Sequence, residues 1–262
     1  MPPIPKSRRT PASVPLPSHP HPLRLAAIGD IHCTERSTST MNQLFANIYE
    51  RADVLLLCGD ITDRGRPGEL QILINELAPS LLQGLTIVAV LGNHDCHGGQ
   101  TATLVQMMRQ VGIKVLHGDD NIYIHNAEVG FAGVKGFWGG FSPNTIAAFG
   151  EENAKEIMKE TAEDTRRLDR GLRSLSTPVK VAMMHYAPIK ATLKGEPAEL
   201  MNLLGSELLG KPLDTEGATI CFHGHAHHGT YSGMTKKGVP VYNVAAPVLR
   251  RTGLQLPSIH TV

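Results

Sequence analysis

Five short segments of this 262-residue chain place carboxylate, imidazole or amide side chains directly after an apolar run. They are Gly29-Asp30-Ile31-His32, Gly59-Asp60-Ile61-Thr62-Asp63-Arg64-Gly65, Gly92-Asn93-His94-Asp95, Met184-His185 and Gly224-His225-Ala226-His227. These side chains are the mixed oxygen and nitrogen donors that divalent transition metals accept. If the Asp30-x-His32 segment is extended, its alternation points both side chains the same way, onto one ion. His225-x-His227 has the same spacing, yet its two rings serve different ions if the backbone bends between them. Asp60 offers two carboxylate oxygens and so can bridge a pair of ions. Each signal alone is common in unrelated sequences. Their joint occurrence, in order and each at the end of an apolar run, points to a metal centre.

The elements that must carry these residues are legible from hydrophobic patterning. Leu23–Ile28, Val54–Cys58 and Thr86–Leu91 read as fully buried strands, with helical spacing over Thr38–Glu50 and Glu69–Leu82 between them. Strand and helix in alternation, with continuous apolar runs, predict a parallel sheet covered by helices. In such sheets the carboxyl ends of the strands line one crevice, where ligands bind. The glycines ahead of the polar clusters are expected to let the chain turn sharply. Asn121–His125, Val129–Val134, Val179–Met184, Ala218–Phe222, Thr230–Met234 and Val239–Val244 read as further strands, with a hairpin turn at Lys236-Lys237-Gly238. A long, largely polar helix is expected from about Pro143 to Leu175, with Ser142 as its N-cap.

Composition narrows the class. The chain is 41% hydrophobic and 19% charged, with a formal net charge of +1. No apolar stretch approaches the roughly 20 residues of a membrane-spanning helix. Four basic residues and no acidic one lie at or before Arg24, so the remainder carries a net −3. That balance disfavours a nucleic-acid-gripping surface. Eight prolines in the first 22 residues predict a disordered tail over 1–22, ahead of one domain over 23–262. Arg8-Arg9 is followed by no apolar export region, which suggests a cytoplasmic location. Cys33, Cys58, Cys96 and Cys221 form no CxxC pair and read as small buried hydrophobes of a reducing compartment.

The ordered set GDIH, GDITDRG, GNHD, His and GHAH resembles the calcineurin-like metallophosphoesterase superfamily, over roughly Leu23 to Ala246. The resemblance implies a four-layer α/β/β/α sandwich of two mixed β-sheets flanked by helices, with the second half supplying the second sheet. It implies that Asp30, His32, Asp60 and His227 hold one divalent ion and that Asp60, Asn93, His185 and His225 hold the other. His94 would be the general acid, oriented by Asp63 through its other ring nitrogen. Arg64 stands where the phosphoprotein phosphatase branch keeps a phosphate-binding arginine, and it reads equally as a surface residue. His97 adjoins the motif as a candidate substrate contact, as does His228, with simple adjacency the alternative.

The expected reaction is hydrolysis of a phosphate ester by water activated between two ions, Mn²⁺ foremost, with Fe, Zn, Ni or Co as alternatives. A phosphodiesterase acting on a small, nucleotide-like ester leads. A phosphomonoesterase or phosphoprotein phosphatase follows, then a nuclease, and then a non-catalytic scaffold on the same fold. Gly136–Gly150 and Tyr186–Lys211 are the expected pocket walls. The loop-like Gly136-Phe137-Trp138 stretch would either stack on a flat substrate group or plug the junction between sheets.

Overall fold

The computed structural model describes residues 22–262. The proline-rich segment thus lies, all but Pro22, outside the described residues. The first half runs β1 (Arg24–Ile28), α1 (Thr38–Phe45), α2 (Ile48–Arg51), β2 (Val54–Cys58), α3 (Pro67–Leu82), β3 (Thr86–Val90), α4 (Asn93–His97), α5 (Thr101–Gln110) and β4 (Lys114–Val115). The second half runs β5 (Ile122–His125), β6 (Val129–Gly133), β7 (Gly140–Phe141), β8 (Asn144–Thr145), α6 (Glu152–Ser174), β9 (Val179–Met183), α7 (Glu207–Thr215), β10 (Ile220–His223), β11 (Ser232–Met234), β12 (Pro240–Asn243), α8 (Ala246–Arg251) and β13 (Ser258–Thr261).

Two sheets form. The first has the order β13-β1-β2-β3-β4 and the second β11-β12-β10-β9-β6-β5. In the first sheet β1 to β4 are parallel, as the buried apolar runs require, and β13 closes one edge antiparallel to β1. The second sheet is mixed: β6, β9, β10 and β12 run parallel, and β5 and β11 form antiparallel edges. One core joins them, since Leu56 and Val88 of the first sheet belong to the same buried cluster as Phe131, Val181 and Phe222 of the second. The four-layer arrangement implied by the motifs is therefore present, with helices on the outside of both sheets.

Two expected helices change. The stretch Thr38–Glu50 breaks into α1 and α2 at Asn47, whose φ of 51° is left-handed and stops propagation. The long helix begins at Glu152, not near Pro143. Ser142 does not cap it, because its amide and hydroxyl both donate to the Glu207 carboxylate. Phe141 pairs with Asn144, so the chain makes a β7–β8 hairpin before α6 starts. Within α6 the buried residues Met158, Thr161, Asp164, Leu168, Gly171 and Leu172 follow a helical stripe, so a polar helix covers the second sheet along one face. The four cysteines are free, and Cys33, Cys58 and Cys221 are buried as small apolar side chains.

Candidate metal centre

The five motif segments converge where the carboxyl ends of β1, β2, β3, β9 and β10 meet. Three triads of potential ligands arise there: Asp30–His32–His227, His32–Asp60–His94 and Asp60–His185–His225. In each, one donor atom per residue lies within 4.8 Å of the others. The first and third triads hold members of the two ligand sets expected from sequence: the first lacks Asp60, which groups with His32 and His94 in the second triad, and the third lacks the amide Asn93. Asn93 joins through its Oδ1, 3.0 Å from His185 Nε2.

The backbone reaches this arrangement by unusual means. Asp30, His32, Asp60 and His225 have φ of 55°, 48°, 47° and 68°, and they make up four of the seven non-glycine residues with positive φ among the described residues. Left-handed backbone costs energy in L-residues and collects at functional sites. Asp30-x-His32 is thus not extended, and its two side chains converge through successive left-handed turns. His225 bends as one of the two sequence alternatives required, which sends it to Asp60 and His185 while His227 turns to Asp30. The glycines mostly serve close approach. A side chain on Gly92 would strike Asp60, and one on Gly224 would strike Asp30 and the Cys58 carbonyl.

Main-chain groups fix the rings. His185 Nδ1 donates to the Cys58 carbonyl at 3.0 Å, which leaves Nε2 to face Asp60 Oδ2 at 3.3 Å. His94 Nδ1 donates to the carbonyl of Asp63 at 2.7 Å. Asp63 therefore reaches His94 by its main chain, while its carboxylate lies 3.7 Å from His32 Nδ1 and 3.5 Å from Arg64 Nε. The amide of His225 donates to both oxygens of Asp30, and His227 Nε2 sits 2.8 Å from Asp30 Oδ1.

Charge is concentrated in a closed space. Asp30 and Asp60 are 3% and 1% exposed. Burial opposes their ionisation, yet the His227 hydrogen bond lowers the pKa of Asp30 and the charge of His185 lowers that of Asp60. Burial also opposes charge on His185, but Asp60 and Asp30 raise it to about 9. Burial, with the His185 charge beside it, pushes His225 down to about 3.

The donor set fits divalent ions on a specific observation. Both ring nitrogens of His32 are buried without a hydrogen-bond partner, a state that calls for an explanation in a folded protein. An ion would satisfy one of them and balance the buried carboxylates. His227 and His32 are 37% and 23% exposed in their side chains, so the centre opens to solvent on that side.

Other expected residues scatter. Arg64 is exposed beside Asp63, and His97 lies exposed at the end of α4, outside all three triads. His228 is likewise exposed, with its amide bonded to Glu196. Phe137 and Trp138 are half-buried against the second core cluster with Tyr186, so the aromatic loop packs at the second sheet. The Tyr186–Lys211 wall does reach the centre: Tyr186 packs on His225 at 4.3 Å, and the Leu203 carbonyl lies 3.4 Å from His225 Nε2.

Several organising residues escaped sequence reasoning. Buried Asp95 accepts from the amides of Ile61, Thr62 and Gly92 and from the Thr62 hydroxyl. It thereby ties the Asp60 loop to the Asn93 loop. Its place three residues after Gly92, at the start of α4, was the available signal. His223 is fully buried and neutral, its pKa pushed down to about 4 by burial. It bonds the Gly224 carbonyl and Thr192, and Asn243 holds the Ala226 carbonyl at 2.7 Å.

Residues 23–229 match the sequence pattern of the family described as calcineurin-like phosphoesterase. The chain belongs to that family. Among solved structures, this calcineurin-like phosphoesterase resembles a phosphopantetheinyl hydrolase from Mycobacterium tuberculosis, with 15% identity over 92% of this chain and 96% of that one and a TM-score of 0.63. It also resembles GAP50, the anchor in the inner membrane complex of Plasmodium, with 13% identity over 86% of this chain and 72% of that one and a TM-score of 0.50. One neighbour is named as a hydrolase and the other as an anchor, so the shared fold leaves the activity to the site. No curated protein matches the chain. Among the described residues, no helix is long and apolar enough to cross a membrane.

Proposed function

We propose that this calcineurin-like phosphoesterase hydrolyses small phosphate diesters at a centre of two divalent ions, with Mn²⁺ as the ion of choice. The observation that carries this reading is the pair of ligand triads, Asp30–His32–His227 and Asp60–His185–His225, converging beside His94. Asp30, His32, Asp60 and His227 would hold one ion, and Asp60, Asn93, His185 and His225 the other. Bound there, the ions supply Lewis acidity toward phosphate oxygens and a water acidic enough to attack at neutral pH.

The chain's own residues do the rest. The exposed edge at His227 and His32 receives the ester, and the closed side at His185 and Asp30 keeps water from the buried carboxylates. His94 stands 4.4 Å from the His32 ring, centroid to centroid, next to the centre. Its Nδ1–H stays on the Asp63 carbonyl, so Nε2 carries the transferable proton. As the phosphorus–oxygen bond to the leaving group breaks, Nε2–H passes to that oxygen, and the ring is left neutral with Nδ1–H unmoved. General acid catalysis of this kind contributes roughly 10²- to 10⁴-fold.

A diester fits because the spare positive charge near the centre is slight. Lys135 is committed to Glu160 at 3.0 Å, and Arg64 faces Asp63. A diester brings one negative charge where a monoester brings nearly two. The second reading, a phosphomonoesterase, rests on Arg64, whose side chain is 62% exposed and would exchange Asp63 for a dianionic phosphate. The test is turnover of aryl phosphate diesters and monoesters by chelated protein reloaded with Mn²⁺, Zn²⁺, Ni²⁺ or Mg²⁺. Diester-selective turnover is expected. Monoester-selective turnover would transfer the assignment to the second reading, and turnover with no metal would refute both.

A further inference from the structure

The loop carrying His227 is held from outside the motif set. Arg251, in the last turn of α8, donates from Nη1 to the His227 carbonyl at 2.9 Å and from Nη2 to the Gly229 carbonyl at 2.7 Å. Its neighbours in sequence clasp the same region. Asn243 holds the Ala226 carbonyl, and Asn243 Oδ1 accepts from the Ala245 amide at 3.2 Å. The Val244 carbonyl accepts from Gly29, and the Ala246 amide donates back to the Gly29 carbonyl, both at 2.9 Å. One short stretch, 243–251, therefore grips the residue before Asp30 and the loop around His227 at once. It lies beyond the family match, which ends at residue 229.

We infer that Arg251 is a positioning residue that sets His227, and with it the Asp30–His32–His227 half of the centre. The inference rests on the proposed two-ion reading. Its chemistry is specific to arginine. The planar guanidinium offers a rigid fork of donors that can span two carbonyls of one loop, whereas a lysine ammonium presents a single mobile point. His227 has a partly exposed side chain, and its ring is held by Asp30 and the edge of the His32 ring alone among the described side chains. The backbone grip supplies what packing does not. Asp60, His185 and His225 are held by other means: Asp60 by the His94 amide, His185 by Cys58, and His225 by its own amide on Asp30. Loss of the fork should therefore weaken one ion and spare the other.

The experiment is Mn²⁺ titration of chelated protein, with free Mn²⁺ read by electron paramagnetic resonance, for the parent, Arg251→Ala, Arg251→Lys and His227→Ala. The parent should bind two ions. Arg251→Ala should weaken one of them by about 10- to 100-fold, the usual effect of losing an outer partner of a metal ligand, and leave the second at parent affinity. Arg251→Lys, which keeps the charge and one donor, should fall between. Adding Arg251→Ala to His227→Ala should change nothing further, since both act on the same ligand. Parent-like titration of Arg251→Ala would overturn the inference while leaving the two-ion reading intact. Equal weakening of both ions would also overturn it, in favour of a general loosening of the fold. A parent that binds no Mn²⁺ would instead bring down the proposed function.

Discussion

Asp95→Asn tests whether the centre depends on a buried carboxylate that itself binds nothing. Asp95 is 1% exposed, and its two oxygens accept four hydrogen bonds, from Thr62 N and Oγ1 on one side and from Ile61 N and Gly92 N on the other. Asparagine keeps one oxygen and turns an amide NH₂ toward the other pair. The better orientation keeps Ile61 and Gly92, and the Thr62 hydroxyl can rotate to accept. The Thr62 amide is then stranded. A stranded buried donor costs about 1–3 kcal/mol, and charge-assisted bonds exchanged for neutral ones add to that. Relief of a buried charge offsets part of the loss, because burial already raises the Asp95 pKa. A net loss of about 2 kcal/mol follows, or about 4–8 °C in Tm for a chain of this size. Thermal unfolding of the metal-free protein is the appropriate assay, since bound ions would mask the difference. A Tm within about 1 °C of the parent would refute the claim that this carboxylate ties the two loops.

His94→Ala should lower turnover by roughly 10²- to 10⁴-fold with metal content unchanged by elemental analysis; loss of metal would instead make His94 a ligand. Asp63→Asn should leave turnover near the parent value in a steady-state assay, because the group on His94 is a main-chain carbonyl that the substitution does not touch. Metal-free protein should show its highest Tm near pH 6.5 in a pH series. Burial depresses His223, His225 and His260 to about 4, 3 and 4, so their contribution is present above the unfolded value of 6.5 and is lost as pH falls toward those values. His185, raised to about 9 by Asp60 against its burial, contributes fully below 6.5 and loses that contribution as pH rises through 9. A Tm that climbs steadily from pH 6.5 to 9 would contradict the His185 environment.

The first sheet was legible in the sequence because β1, β2 and β3 are buried on both faces and each ends in a glycine followed by a polar ligand. The candidate ligand segments stood out for the same reason. The residues that hold those ligands in place did not. Asp95, His223, Asn243 and Arg251 act through backbone carbonyls and amides brought together only by the fold, and a hydrogen bond to a main chain leaves no residue-type signature at the other end. The start of α6 was misplaced because Ser142 and Pro143 carry strong helix-entry chemistry locally. A carboxylate 65 residues away, on Glu207, took the serine instead. Strands β4 and β13 were missed because neither Lys114–Val115 nor Ser258–Thr261 carries an apolar run of its own, and they exist by pairing with longer neighbours.

The ligand-bearing segments span positions 30 to 227 and are drawn from both sheets. Anything bound among them is therefore a staple across the two halves of the sandwich. It cannot stay in place while either half is open, so its binding energy reports on completion of the whole chain and not on any one motif. Each tenfold excess of such a ligand over its dissociation constant adds about 1.4 kcal/mol to the closed form. Metal supply would then govern the lifetime of the protein as directly as its chemistry, and a starved cell would lose the enzyme by unfolding and proteolysis as well as by idleness.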